Sequence, residues 1–321
     1  MRKRLFLAAL AAIVGTATAI AQQIAVVSEG GSTNVFQTLT EAIEGASDGS
    51  VIYLPGGGFQ IDDSVKITKR LTIIGIGHKA KTENVDGNTT IAGNLFFNEG
   101  ASGSSVMGCY ISGNIYIGEG GNNVTVKYCN VKEIHWPALS TGTVINQNYI
   151  RSGCYGNSGS AKFTNNITPW IRDLDGGIIE NNIFTSYHFD TWYGNAPLLL
   201  CDNCTITNNI FLNNQYIGCG SNCLVSGNMR LNGDWGDDPI NIAIDSWDEV
   251  FTNYNNGAIT PASDFHFTAD YQKYSDCGIY GGTGFSDGAL PPVPFIVAKS
   301  IPEQTDASGK LNIKIRVKAS E

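Results

Sequence analysis

The chain has 321 residues, a formal net charge of −9 at pH 7 and eight cysteines. Its length is enough for one elongated domain. An acidic surface repels polyanions at long range, so the composition disfavours nucleic acid as a partner and weakens the case for a polyuronate substrate.

The first 21 residues predict a cleavable export signal. They contain a basic start (2–4), an apolar run (5–14) and an Ala-Ile-Ala cleavage site (19–21). The apolar run is shorter than the roughly 18 residues that a spanning helix needs, and no later stretch is long enough either. After cleavage 17 basic and 29 acidic residues remain, a formal charge of −12. We therefore expect a periplasmic or extracellular protein with no membrane span.

A short helix is predicted next. Phe36, Leu39 and Ile43 recur at helical spacing, one of the polar residues 32–34 can cap the start, and Gly45 ends the helix. The nearest apolar surface that could cover this helix is the open end of the repeat that follows. We therefore expect an N-terminal cap that also blocks exposed strand edges.

The pattern V-x-x-[NC] then returns ten times, at steps of 16 to 27 residues. Each return predicts one coil of a β-solenoid. The pattern begins at Val51, Leu71, Thr90, Val106, Val126, Ile145, Phe163, Ile179, Ile206 and Val225. Its fourth position holds Leu54, Ile74, Gly93, Cys109, Cys129, Asn148, Asn166, Asn182, Asn209 and Asn228.

The repeat has a physical cause, because residues at equivalent positions of successive coils stack on one another. Neighbouring coils pair as parallel strands about 4.8 Å apart, so equal positions lie above one another. Five asparagines at one inward bend can pass side-chain amide hydrogen bonds from coil to coil. The alternative is ordinary turn chemistry, because Asn favours turns. The constant spacing favours an asparagine ladder.

Residues 36–77 read FQTLTEAIEGASDGSVIYLPGGGFQIDDSVKITKRLTIIGIG and precede coils that contain N-N-I-F. They resemble secreted bacterial proteins of the pectate-lyase-like superfamily. The resemblance implies an all-β fold, a right-handed single-stranded parallel β-helix of about ten coils with an N-terminal capping helix. It implies no single reaction, because the superfamily includes lyases, hydrolases, esterases, epimerases and non-catalytic adhesins or tail spikes.

Catalytic motifs of that superfamily are largely missing. The polygalacturonase set N-T-D, D-D, G-H-G, R-I-K has no counterpart, since no G-H-G follows Asp237-Asp238. Residues 170–173 read W-I-R-D and resemble the W-I-D-H of pectate lyases, with Arg and Asp replacing the acid and the His. This argues against calcium-dependent pectate cleavage. No cofactor is predicted; calcium stays an alternative at the acidic segments 234–238 and 245–249, which lack a spaced ligand loop.

The cysteines allow two interpretations. Cys201-x-x-Cys204 and Cys219-x-x-x-Cys223 have spacings that suit a four-thiolate zinc site. However, Cys204 and Cys223 each lie five residues before a ladder asparagine, so they should stack on adjacent coils at a separation compatible with a disulfide. The sequence favours structural thiols or disulfides, and Cys109 and Cys129 should stack in the same way.

A candidate site follows from the aromatic residues. Six and seven positions after the ladder come His135 and Trp136, Cys154 and Tyr155, Arg172 and Asp173, His188 and Phe189, and Gln215 and Tyr216. The coil from Ile179 to Ile206 is the longest, at 27 residues, and its extra residues include Tyr187, His188, Asp190, Trp192 and Tyr193. Long loops on a rigid scaffold carry binding groups, and aromatic faces beside polar groups suit sugars.

We therefore predict a lateral groove for a neutral or weakly charged polysaccharide. The predicted substrate-binding residues are His135, Trp136, Tyr155, Trp170, Tyr187 and Trp192. The catalytic candidates are Arg172, Asp173, His188 and Asp190. Arg172 could act as a lyase base or neutralise charge, whereas Asp173 and Asp190 could form the carboxylate pair of a glycoside hydrolase. The alternative is a non-catalytic structural or adhesive surface protein whose rings only fill the surface.

The C-terminal region predicts a closing segment and a hairpin. Residues 276–282, DCGIYGG, resemble the D-x-G-x-Y-G-G segment that closes many bacterial β-helix proteins, which predicts a terminal cap within the unit 22–290. The run 291–294 predicts a stiff linker. Alternating apolar residues from Leu311 to Ala319 predict a half-buried strand that pairs with 295–301, so 291–321 form a linker and hairpin that docks on the solenoid end or meets a protein partner.

Overall fold

The computed structural model describes residues 23–78, 87–137, 140–185, 198–212, 218–231, 242–254, 263–285, 294–300, 302, 304–305 and 308–318. Most of the strands join one 23-stranded sheet. Nearly all its pairings are parallel, and the arrangement is consistent with a parallel β-helix. Residues 1–22, with the predicted export signal, lie outside the described residues. Among the residues described, no helix is both long enough and apolar enough to cross a bilayer.

The sheet consists of three columns of stacked parallel strands. The first column stacks Val51–Tyr53, Thr72–Ile74, Ser105–Met107, Thr125–Lys127, Thr143–Asn146, Asp202–Thr207 and Leu224–Ser226. The second stacks Gly57–Gln60, Thr89–Ala92, Tyr110–Ile111, Ile167–Thr168, Ile183–Phe184, Ile210–Phe211, Met229–Leu231 and Ile242–Ile244. The third stacks Leu95–Phe97, Ile115–Ile117 and Leu198–Leu199.

Three longer strands continue from one column into another. Asn130–His135 joins the second and third columns, Tyr149–Thr164 joins all three, and Ile171–Glu180 joins the third and first. Each coil thus runs from the first column to the second and the third, and then enters the next coil. Inward side chains of the coils form one continuous apolar core that includes Ile52, Val106 and Phe163.

The register confirms seven of the ten predicted returns. Val106, Val126, Ile145, Phe163, Ile179, Ile206 and Val225 stack directly on one another. The earlier returns are shifted, because Ile52 and Ile73 hold the equivalent position rather than Val51 and Leu71. Thr90 lies in the second column. It belongs to the same coil as Ile73, so the prediction of a separate coil there is wrong.

The asparagine ladder is present. Asn148, Asn166, Asn182, Asn209 and Asn228 are all fully buried. In each successive pair Nδ2 of the earlier residue donates to Oδ1 of the next, at 2.9 to 3.1 Å. The same Oδ1 atoms accept a backbone N–H, and each Nδ2 also reaches a carbonyl oxygen of the preceding coil. The amides therefore satisfy backbone groups that a tight bend would leave unpaired inside the core.

The residue before each ladder position has a left-handed backbone. These residues are Gly108, Tyr128, Gln147, Asn165, Asn181, Asn208 and Gly227, with φ between 53° and 69°. Asn and Gly tolerate this region better than other residues, which explains the three N-N pairs and the G-N pair at 227–228. Tyr128 and Gln147 have no such advantage and are the exceptions in the series.

The N-terminal region folds onto the same core. Strand Ile24–Val27 pairs antiparallel with Thr33–Phe36 and with the first strand of the first column. The helix Leu39–Gly45 buries Leu39, Ala42 and Ile43. Its N-cap is Thr38, in a capping box with Glu41, so the prediction of a cap among residues 32–34 is wrong. Lys69 Nζ donates to the carbonyl oxygens of Glu44 and Ala46, where a cation complements the helix C-terminus.

A second apolar cluster covers the outer face of the second column. The outward side chains Ile167, Ile183, Ile210 and Met229 are packed under residues of the segments 244–254 and 263–279. The covering part contains Phe251–Asn253 paired antiparallel with Asp264–Phe267, followed by the 3-10 helix Ala269–Tyr274. Trp247 Nε1 donates to the carbonyl oxygen of Leu212 at 2.7 Å. Most of the described residues between 244 and 285 therefore pack on the side of the coils.

Residues 276–283, called here the closing strap, follow this cluster. The strap crosses the bends of four coils: Asn165 Nδ2 donates to the carbonyl oxygens of Ile279 and Gly281, and Asn181 Nδ2 donates to that of Asp276. Gly278 N donates to the carbonyl oxygen of Asn208, and the Cys277 thiol to that of Gly227. The strap lies against the side of the stack, not over its end as the sequence predicted.

All eight cysteines are free thiols. Cys204 and Cys223 lie on adjacent rungs, since the residues that follow them pair directly. Cys109 and Cys129 occupy adjacent ladder positions and are fully buried. The stacking prediction is confirmed, whereas no disulfide links either pair. No group of three or more metal-ligating side chains exists among the described residues, which include all eight cysteines.

The C-terminal ribbon pairs Phe295–Ser300 antiparallel with Lys314–Lys318. Every residue of the second strand is exposed. The sequence predicted a half-buried strand that docks on the solenoid end or meets a protein partner. These residues are not buried against the described chain, so docking on the solenoid end is wrong for them, and the partner alternative stays a prediction.

Candidate functional site

The third column carries a row of outward-facing rings. Leu95, Ile115, Ile134, Cys154 and Ile171 stack in the core and are fully buried. Side chains alternate along a strand, so the residue after each of these points outward. Those residues are Phe96, Tyr116, His135, Tyr155 and Arg172. We call them the aromatic row.

The rings of this row contact one another in sequence. Centroids of Phe96 and Tyr116 are 5.0 Å apart, those of Tyr116 and His135 4.8 Å, and those of His135 and Tyr155 4.6 Å. The interplanar angles are 11°, 31° and 19°, so the rings lie nearly face to face. Their faces are therefore occupied by neighbouring rings, and the half-buried row presents mainly ring edges to solvent.

A cation lies at each end of the row. Lys66 Nζ is 3.2 Å from the centroid of Phe96. Arg172 Cζ is 5.7 Å from the centroid of Tyr155 and 5.6 Å from that of Trp170. Cations over ring faces are attracted by the ring quadrupole, so both ends of the stack are stabilised.

A second outward line, called here the polar row, precedes the core residues by one position. It consists of Asn94, Asn114, Glu133, Gly153 and Trp170. Gly153 has φ 108°, and a Cβ built there would lie 2.4 Å from the Trp170 ring. The missing side chain lets Trp170 lie over the backbone and meet Tyr155 edge-on at 4.7 Å. Trp170 is only 6% exposed as a result.

Glu133 joins the two rows. Its Oε2 lies 3.0 Å from His135 Nε2 and accepts a hydrogen bond from Asn114 Nδ2 at 3.2 Å. The same Asn114 Nδ2 donates to Tyr116 Oη at 2.8 Å. The side chains of Glu133 and His135 are 20% and 22% exposed. A carboxylate and an imidazole are thus held together, partly desolvated, beside a line of ring edges.

Four of the predicted site residues meet here. His135, Tyr155, Trp170 and Arg172 all contact a neighbour in the row. Asp173 follows Arg172 at a register shift, with φ 56°, and is half-buried. Tyr187, His188, Asp190 and Trp192 lie outside the described residues.

Trp136 is not part of this surface. It is fully buried and belongs to the main core, at the position equivalent to Ile117 of the neighbouring coil, one residue past the pair Tyr116 and His135. Gly159 leaves room for it, since a Cβ there would lie 2.8 Å from the indole Cδ1. The prediction that Trp136 offers a surface platform for a sugar is therefore wrong: the ring faces inward and stabilises the core.

The sequence prediction missed five residues of the site: Lys66, Phe96, Tyr116, Asn114 and Glu133. Counting seven positions after Cys109 would have found Tyr116. Phe96 could not be found in this way, because its coil was assigned the wrong ladder residue.

An open cleft of about 470 Å³ lies where the third column turns toward the first. Thr68, Asn98, Glu99, Gly100, Gly118 and Glu119 line it. None of the residues predicted from the sequence is among them.

No protein-family model, curated protein or solved structure matches this chain.

Proposed function

We propose that this protein is exported and binds a neutral or weakly charged polysaccharide along the aromatic and polar rows of the third column. The main observation that supports this proposal is the line of ring edges with Glu133 and His135 at its centre. Strand repeats of about 4.8 Å place equivalent groups at regular intervals, which suits a ligand that is itself a repeating chain. The acidic composition supports a substrate without high negative charge.

The stacked geometry favours recognition through hydrogen bonds. The faces of Tyr116 and His135 contact other rings, so a sugar ring would meet their edges and the polar atoms near them. The Glu133 carboxylate accepts hydrogen bonds from hydroxyl groups, and Tyr and His edges can donate or accept. Long-chain ligands gain affinity from several such contacts along one rigid face.

Cleavage of the bound chain would depend on Glu133, His135 and Arg172. A carboxylate that orients an imidazole is a common arrangement for general acid–base work, and a guanidinium can neutralise charge that develops on a sugar ring. In this proposal the His135 imidazole transfers the proton, and the Glu133 carboxylate orients that imidazole. Arg172 stabilises the negative charge that develops on the sugar. Either a polysaccharide lyase or a glycoside hydrolase would be compatible with these groups.

The second candidate is a non-catalytic structural or adhesive surface protein. It is favoured by the face-to-face stacking of the rings and by the burial of Trp136, both of which stabilise the coils without any ligand. In this candidate function the aromatic row is a structural element of the sheet.

We also propose the finer features of the fold. These are a right-handed, single-stranded β-helix of about ten coils related to the pectate-lyase-like superfamily, with the helix Leu39–Gly45 as its cap. Cleavage before Gln22 would release the mature protein. N-terminal sequencing of the protein from the culture medium or periplasm tests the export proposal, and an uncleaved N-terminus would contradict it.

A glycan array tests the main proposal. Co-sedimentation then measures binding to the polysaccharide that the array identifies. Glu133→Gln and His135→Ala should each weaken binding, whereas Lys162→Ala, on the exposed face of the first column, is the matched control and should not. Product analysis on the bound polysaccharide then separates binding from cleavage. If no glycan binds the folded protein, the structural candidate is the better one.

A further inference from the structure

The C-terminal ribbon carries an apolar row that nothing in the described structure covers. Leu311, Ile313, Ile315 and Val317 are 46% to 55% exposed. The two strands of the ribbon pair only with each other among the described residues. A lone two-stranded ribbon is marginal in water, and hydration of four exposed aliphatic side chains is unfavourable.

The opposite face of the second ribbon strand, Lys314–Lys318, is basic. Lys314, Arg316 and Lys318 alternate with the apolar residues. Residues 294–318 hold five basic and two acidic residues, a charge of +3. Residues 22–293 hold 12 basic and 26 acidic residues, a charge of −14. The ribbon and the body of the protein therefore have opposite charge.

We propose that the ribbon of one molecule docks on the acidic body of a second copy of this chain. Its apolar row would supply the buried area, and its basic face would attract and orient the ribbon. Two ribbons packed together would place two charges of +3 side by side, which is unfavourable. An anionic lipid surface would attract the ribbon but repel the much larger acidic body.

This contact joins different surfaces of the two partners. Such head-to-tail contacts continue into longer assemblies unless the rotation closes a ring. Opposite charges that attract across solvent are screened by salt, with a Debye length of about 10 Å at 0.1 M. The assembly should therefore grow beyond a dimer and weaken as salt rises.

Sedimentation velocity of the full mature chain over a range of concentrations and sodium chloride levels tests the proposal. Average mass should rise with concentration at low salt and fall on salt addition. The triple variant Lys314→Glu/Arg316→Glu/Lys318→Glu and the double variant Ile315→Ser/Val317→Ser should each weaken association by at least about tenfold. The matched control Lys127→Glu/Lys132→Glu/Lys162→Glu makes the same charge change on the body and should not weaken it.

Zero-length carbodiimide cross-linking of a mixture of isotopically light and heavy protein identifies the contact. Mixed links from Lys314 or Lys318 to carboxylates of residues 23–285 support the proposal. A single mass under all conditions, an assembly that stops at two copies with ribbon-to-ribbon links, or recruitment to anionic phospholipid vesicles in place of self-association would each overturn it.

Discussion

Asn182 Nδ2 lies 2.9 Å from Asn209 Oδ1, and the same oxygen accepts the backbone N–H of Asn182 at 2.9 Å. One side-chain oxygen therefore serves two donors of the coil before it. The identical arrangement one coil earlier links Asn166 to Asn182. Each ladder residue thus acts as acceptor for one neighbour and donor to the other, and the bend depends on an unbroken series.

Replacement of Asn182 by Leu should destabilise the protein. The backbone N–H of Asn166 and the carbonyl oxygen of Phe163 would lose their partner inside the core. Buried polar groups left unpaired cost about 1–3 kcal/mol. Denaturant unfolding followed by circular dichroism measures the loss. Asn253→Leu, at an exposed position, is the control, and equal stability of the two variants would contradict a supporting role for the ladder.

Replacement of Tyr128 by Asn should stabilise the protein. Tyr128 has φ 53° at the bend where most other coils place Asn or Gly. Relief of the left-handed conformation is worth about 1 kcal/mol for a non-glycine residue, and Asn tolerates it better than Tyr. The unfolding midpoint should rise, while Lys127→Asn, one residue earlier with ordinary backbone angles, should not raise it.

Replacement of Gly153 by Ala should disturb Trp170. The new methyl group would lie 2.4 Å from the indole, and φ 108° is unfavourable for alanine. Together these predict a loss of about 1–3 kcal/mol and a red shift of tryptophan fluorescence, because the ring must move toward water. Gly58→Ala is the matched control, since nothing lies within 4 Å of its Cβ position. A normal emission spectrum for the Gly153 variant would show that the ring is not held there.

Stability should fall in alkaline solution. Burial raises the pKa of Cys129 from 9.0 to about 12. Between these values the unfolded chain releases a proton that the folded chain retains, so the free energy of unfolding decreases as pH rises through that range. Below pH 9 its contribution is constant. Cys129→Ala should make the decline between pH 9 and 12 less steep, and an unchanged slope would argue against a buried neutral thiol.

Chelation of metal should leave the fold intact. Cys201, Cys204, Cys219 and Cys223 form no metal-binding group in the described structure, and the chain folds by stacking coils. The circular dichroism spectrum should be unchanged after treatment with a chelator. The half-buried thiols of Cys219 and Cys223 should react first with a thiol reagent, before the buried ones. Stoichiometric zinc that is needed for folding would refute this.

The sequence located the repeat correctly where the ladder residue is Asn or Cys. From Cys109 onward the spacing follows the strand register, because the bend demands one buried residue after a left-handed one. Before that point Thr90 matched the pattern by coincidence, since it lies in the second column of a coil that takes 33 residues to run from Ile73 to Val106. When a coil is about twice the usual length, the local pattern cannot tell a strand of the first column from a strand of the second.

The site was only partly predictable for a different reason. The number of residues from the ladder to the outward position alternates between seven and six, as in Cys109 to Tyr116 and Cys129 to His135. Since successive side chains point to opposite faces, an error of one residue exchanges surface for core. That is why His135 lies in the row and Trp136 lies beneath it. The contact between Glu133 and His135 follows from their spacing of two residues on one strand, which places both side chains on the same face.

The closing strap changes how the coils can fold. A stack of coils contacts only its nearest neighbours, and such arrays can lose their end units one at a time. Here Asn165 is hydrogen-bonded to Ile279, Gly281 and Thr283, across 114 to 118 residues of sequence. Coils between these points cannot acquire their full set of contacts until the chain beyond them has been made. The C-terminal half should therefore fold late and as one cooperative block, with a rate limited by closure of this long loop.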